Sequence, residues 1–162
     1  MVAAKKDPAR ELLRHTAATV AYRGGKALRG APDGFARFTA GESSRTPGQI
    51  LSHICDLYDW ALTIAKGKEV WKDTKPRGWN EDVARFFTSL AAFDEFLASG
   101  HKLAVSPATL FQGPVADSLA HIGQIAMLRR LAASPVRAEN YARADIVIGR
   151  VGPEQTPPKR EF

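Results

Sequence analysis

Residues 45–67 read RTPGQILSHICDLYDWALTIAKG, and this stretch decides the fold. Thr46 is a good N-cap, Pro47 suits the first helical position because its missing N–H is no loss there, and Gly67 supplies a stop, so a helix is expected from Thr46 to Lys66. Ile50, His53, Leu57, Trp60 and Ile64 recur every three or four residues and share one face. His53 sits in the middle of that apolar stripe. The face that buries Ile50 and Leu57 must therefore carry an imidazole inward.

Three more stretches show the same grammar. Upstream, Asp7 and Pro8 open a helix that runs to about Leu28, before Gly30 and Pro32, with Leu13, Ala17, Val20, Gly24 and Leu28 as its buried stripe. His15 falls roughly 160° to 200° from that stripe and is expected in solvent. Downstream, Asn80 is read as the cap of a third helix, with Glu81 and Asp82 in its first turn and an end at Ser99, before Gly100. Its inner side is Val83, Phe86, Phe87, Leu90 and Leu97. A fourth helix is expected from Gly113 and Pro114 to Ala133, with Arg129 and Arg130 in its last turns and Pro135 barring extension. The 13 residues from Gly67 to Trp79 are long enough to cross the bundle, which permits two parallel neighbours in the middle.

The fold expected is all-α, a four-helix bundle over about residues 7–133 in a single domain spanning 1–162. A C-terminal extension, 134–162, holds a short helix and an extended stretch and ends in the Pro-rich PEQTPPKREF. A content of 44% hydrophobic and 25% charged residues is that of a globular protein able to bury a core. The N-terminal MVAAKKDPAR has no apolar run behind its lysines and no stretch approaches a bilayer-spanning length, which argues against secretion and membrane insertion. Cys55 is the only cysteine, so a cytoplasmic location is expected, with the thiol buried in packing. The net charge is +6, but the basic residues (Lys5, Arg45, Lys75 and Arg129 among them) are spread through every segment without a dense run or interleaved aromatics. This argues against nucleic acid as a partner.

The chemistry concentrates in the second and fourth helices. Asp117, His121 and Gln124 are spaced by four and three residues, within about 60° on a helical wheel, and Leu128 and Leu131 continue that face inward. An Asp and a His at i and i+4 can both ligate one cation, and His53 from the second helix completes a three-ligand site with open positions, the pattern of catalytic metals. His53 and His121 lie near their helix midpoints, so they can meet in either relative direction. A buried Asp117 also needs a cation or a protonated histidine as partner. The other reading of the same residues is an internal Asp117–His121 hydrogen-bonded pair with His53 held by a backbone carbonyl. Cys55 is roughly 160° around the helix from His53 and is excluded as a ligand.

RTPGQILSHICDLYDWAL and SLAHIGQIAMLRRL resemble the second and fourth helices of the DinB-like superfamily of helical bundles, which is related to thiol-dependent transferases and isomerases. The family's fourth helix often reads His, three residues, His, then Arg-Gly-Gln. Here His121, Gly123 and Gln124 fit its second half, Ile122 stands in place of the arginine, and Asp117 in place of the first histidine. The resemblance implies an up-down-down-up order and a divalent metal (zinc, nickel or manganese) on His53, Asp117 and His121. Gln124 would orient a ligand from behind them.

Leu51, Tyr58 and Leu62 on the second helix, with Val115, Leu119, Ile122 and Ala126 on the fourth, form a further apolar side in each, the mark of a helix that is either central or shared with a partner, and a homodimer is expected. The functional readings are a metal-dependent thiol transferase or hydrolase, or a non-catalytic dimeric bundle whose metal-free polar pocket takes a small ligand. Asp94 is read as a further orienting group or a solvent-facing side chain, and Arg137, Asn140 and Tyr141 as a wall over the pocket or ordinary surface packing. No phosphate-cradling loop, nucleophile motif or dinucleotide fingerprint is present.

Overall fold

The computed structural model describes residues 7–162; Lys5 and the lysine pair read above at the N-terminus lie outside them. The chain is an all-helical four-rod bundle. The first rod is α1 (Pro8–Leu28), where the Asp7 carboxylate accepts from the N–H groups of Ala9 and Arg10. The second is α2 (Pro47–Ala65), closed at its start by a reciprocal capping box between Thr46 and Gln49. The third is α3 (Trp79–Ala98), which begins one residue before the expected cap Asn80 because Gly78, at φ 139°, makes the turn that admits it.

The fourth rod departs most from expectation. It starts at Pro107, not Gly113, with the Ser106 hydroxyl accepting from the N–H of Thr109. It consists of α4 (Pro107–Leu110), a π-helical turn (Phe111–Val115) and α5 (Ala116–Leu131). Pro114 is therefore inside the rod, where a proline cannot donate to the helical ladder, and the widened turn accommodates it.

Directions follow from paired contacts. On α2 and α3, Cys55 meets Asp82, Asp56 meets Arg85 and Asp59 meets Ser89, so these two rods run parallel. Arg10 reaches the carbonyl of Leu97, Arg14 binds Asp94 and Gly24 lies on Phe86, which makes α1 and α3 antiparallel. Gly24 also meets Ile122, and Arg129 of α5 donates to the carbonyls of Ala27 and Arg29, so α1 and α5 are parallel. The order is up, down, down, up. Arg129 thus satisfies the orphan carbonyls at the end of α1 as well as standing in the last turn of its own helix.

Parallel α2 and α3 require a crossover, which the 66–78 segment makes by running back along α2. The Thr63 hydroxyl lies against Val70, and Thr74 packs at Asp56, donating to its carboxylate through N–H (2.8 Å) and Oγ (2.7 Å), while its carbonyl accepts from Ser52. Asp56 also accepts from Arg85, which bridges to Asp59 at 2.7 Å, so the crossover is tied down by a buried charge cluster.

The core is Leu13, Val20, Leu51, Ile54, Tyr58, Phe86, Leu90, Phe93 and Ile125 with their neighbours, all buried. Of the second apolar side read as central or shared with a partner, Leu51, Tyr58, Val115 and Ile122 are buried within this one chain, as in central helices, and Leu62, Leu119 and Ala126 are half-buried. His15 is exposed, and Cys55 is fully buried. Among the described residues no helix is long and apolar enough to cross a membrane.

The extension is closed on itself and docked on the bundle. Glu139 pairs with Glu161 as a backbone bridge, and the N–H groups of Asn140 and Phe162 donate to the carbonyls of Arg160 and Ala138. This closed loop docks on α1: the fully covered Glu139 carboxylate accepts from Tyr22 Oη (2.6 Å) and Lys26 Nζ (2.7 Å), and Lys26 also reaches Glu161.

Candidate metal centre

His53 projects from the middle of α2, and Asp117 and His121 from the first two turns of α5, where these antiparallel rods meet. The structure brings all three together. One ligand atom from each lies within 4.8 Å of the others, a group that can hold a metal ion. Asp117 is the hinge: its Oδ2 is 3.4 Å from His53 Nε2 and its Oδ1 3.2 Å from His121 Nδ1, and the two imidazole centroids are 4.7 Å apart. Ligands about 2.0–2.1 Å from a tetrahedral ion stand about 3.3 Å apart, so the His53–Asp117 edge already has a suitable length.

The backbone sets one tautomer. His121 Nδ1 lies 2.8 Å from the carbonyl oxygen of Asp117. A carbonyl only accepts, so Nδ1 carries the proton and Nε2 keeps its lone pair for a ligand. Metal-bound histidines are commonly oriented this way, with the second ring nitrogen donating to a carbonyl or carboxylate.

The patch lies at the seam between the two rods rather than in the bundle interior. Side-chain exposure is 21% for His53, 13% for His121 and 44% for Asp117, so Asp117 is solvated and carries no large desolvation penalty. Behind it, Tyr58 and Ser118 close the core: Ser118 donates to the Val115 carbonyl, which leaves the Tyr58 hydroxyl to donate to Ser118 at 2.8 Å. In front, the crossover contributes Trp71, whose ring meets His53 edge-on at 5.6 Å and Trp60 at 5.9 Å.

The remaining sequence candidates lie elsewhere. Gln124 is exposed, makes no hydrogen bond to the triad and lines a neighbouring apolar groove. Asp94 is held by Arg14 through two bonds of 2.9 and 3.0 Å at the α1–α3 contact, away from the histidines. Arg137 is exposed and pairs with Glu161, and Tyr141 packs on Tyr22 and Arg23, so these residues serve surface packing on α1 and form no wall over the site. Cys55 points at the carbonyl of Asp82, and burial pushes its thiol up to about 12. Trp71 is the residue that reasoning from sequence passed over. Its signal was composition: a lone tryptophan within the charged connector KGKEVWKDTK has no core of its own to fill. Compared with known proteins, the chain matches no family model, no curated protein and no solved structure.

Proposed function

We propose that the chain is a DinB-like, divalent-metal-binding bundle acting as a metal-dependent thiol transferase or hydrolase, with His53, Asp117 and His121 holding zinc, nickel or manganese. The observation that carries this reading is the convergence of two imidazoles and one carboxylate from separate rods within 4.8 Å, at a seam open to solvent on one side. Two nitrogens and one carboxylate oxygen suit a borderline divalent cation and leave positions for a substrate. Such an ion would lower the pKa of a water or thiol that it holds and so supply a nucleophile near neutral pH. The protein's own part is to fix the His121 ring through the Asp117 carbonyl and to screen His53 with Trp71.

A second reading has one observation in its favour. Asp117 contacts both imidazoles within the chain itself, so the group can persist as a metal-free polar pocket for a small ligand. Metal analysis of tag-free protein separates the two. One equivalent of zinc, nickel or manganese is expected after incubation and dialysis of the wild type, with sharply reduced retention in His53→Ala and His121→Ala. A wild type that retains none of the three metals refutes the metal reading.

A further inference from the structure

Two hollows flank the triad, and one cation lines both. The first, about 280 Å³, lies between α2 and the crossover and is lined by Arg45, Gln49, His53, Asp73 and Lys75. The second, about 360 Å³, lies between α2 and the end of α5 and is lined by Arg45, Ile50, Gln124, Met127, Leu128 and Leu131. Ile50 is one turn of α2 from His53, and Gln124 one turn of α5 from His121, so the second hollow continues the seam that holds the triad. Each volume is near the lower end for small-molecule sites, and the pair together is larger.

The charges decide what fits. The Arg45 and Lys75 side chains are exposed and make no ion pair or hydrogen bond among the described residues, whereas Asp56, which also lines the first hollow, is already engaged by Arg85, shared with Asp59, and by two hydrogen bonds from Thr74. Asp73 is exposed, one carboxylate against two free cations. The second hollow is the opposite in character: Met127 and Leu131 are 52% and 57% exposed among the described residues. A basic end joined to an apolar trough, with His53 on the wall, matches a small molecule that has an anionic head and a hydrocarbon body.

We propose that this surface binds a small amphipathic carboxylate, its anionic group on Arg45 and Lys75 and its chain along Ile50, Met127, Leu128 and Leu131. The seam would present the molecule's polar portion to His53 and His121. This inference deepens the metal reading by naming a substrate class, and it rests on that reading for the triad as the reacting centre; the anion contact itself needs no ion.

The test is titration of octanoate into the full chain by calorimetry, first stripped of metal and then zinc-loaded, with acetate and octylammonium as comparisons. Octanoate should saturate at one per chain in the stripped protein, with acetate and octylammonium at least about tenfold weaker. Arg45→Gln should weaken octanoate about tenfold, the value of one charge-assisted contact, and Met127→Gln should weaken octanoate without changing zinc retention. All substituted side chains are exposed, so circular dichroism should be unchanged. The inference is overturned if octanoate does not saturate, if octylammonium binds equally well, or if Arg45→Gln binds like wild type. Zinc retention without octanoate binding sinks this proposal and leaves the metal reading standing; octanoate binding by a chain that retains no metal does the reverse.

Discussion

Adjacent glycines in α1 should respond in opposite ways to the same substitution. Neither has a positive φ, and an alanine at either gains about 1 kcal/mol of helix propensity. A Cβ on Gly25 meets Phe87 no closer than 3.4 Å, an ordinary contact, so Gly25→Ala should raise stability by up to about 1 kcal/mol. A Cβ on Gly24 would stand 2.5 Å from Phe86 Cζ and 3.3 Å from Ile122 Cδ1. Phe86 is fully buried, so its ring has no solvent to swing into, and overpacking of this kind costs about 1–3 kcal/mol. The two variants should therefore differ by about 1–3 kcal/mol, with Gly24→Ala the weaker. For a chain of this size a kilocalorie moves Tm by about 2–4 °C, a gap resolved by thermal melts followed by circular dichroism. Equal Tm values would refute the close approach of α1 to α3 and α5 on which the placement of the fourth rod depends.

Stability should fall from about pH 9 upward. The folded Cys55 thiol is raised from 9.0 to about 12, so between those values the unfolded chain releases a proton that the folded chain keeps, and folding loses about 1.4 kcal/mol per pH unit. Urea midpoints of Cys55→Ala should have a shallower slope over pH 9–10; identical slopes would count against a buried thiol. Burial also raises Tyr22 and Tyr58, which steepens the loss above about pH 10. Asp56→Ala should cost about 1–3 kcal/mol by taking one of its two carboxylates from Arg85 and the acceptor from the Thr74 N–H, and combined with Arg85→Met it should cost less in urea unfolding than the sum of the two single changes. Strict additivity of the two changes would mean that the pair does not interact. Glu139→Ala should release the C-terminal loop from Tyr22 and Lys26, opening Arg137 and Arg143 to trypsin while the bundle endures; an unchanged digestion pattern would show that the carboxylate does not hold the loop.

Local signals made the first three rods legible. Asp7–Pro8, Thr46–Pro47 and the glycines after α2 and α3 act within a few residues, so a reader of sequence sees the whole cause. Tertiary causes stayed hidden. The docking of Glu139 depends on Tyr22 and Lys26, more than a hundred residues away, and the tail's own composition gave no hint of it. Asp94 looked available because its partner, Arg14, is on another rod. The triad was legible because the i, i+4 spacing is local and His53 stood out against its apolar neighbours, but its depth in the bundle was not.

That depth turns on Pro114. In an unbroken helix at about 100° per residue, Asp117 and His121 would fall within about 20° of Leu110, which is fully buried, and both would point at the bundle axis. Buried beyond the π-turn are Ser118, Ile122, Ile125 and Arg129, a face centred about 90° away from that of Leu110, with Leu128 at its edge. One extra residue in the Phe111–Val115 turn has the effect of rotating the rest of the rod by about that angle. The rotation gives the axis to Ile122 and Ile125 and moves the carboxylate and imidazole to the α2 seam, where Asp117 is 44% solvated. It also explains why Leu131, read as part of the inward face, is 57% exposed. A proline that an α-helix would reject is thus the local cause that turns a costly buried carboxylate into an accessible ligand.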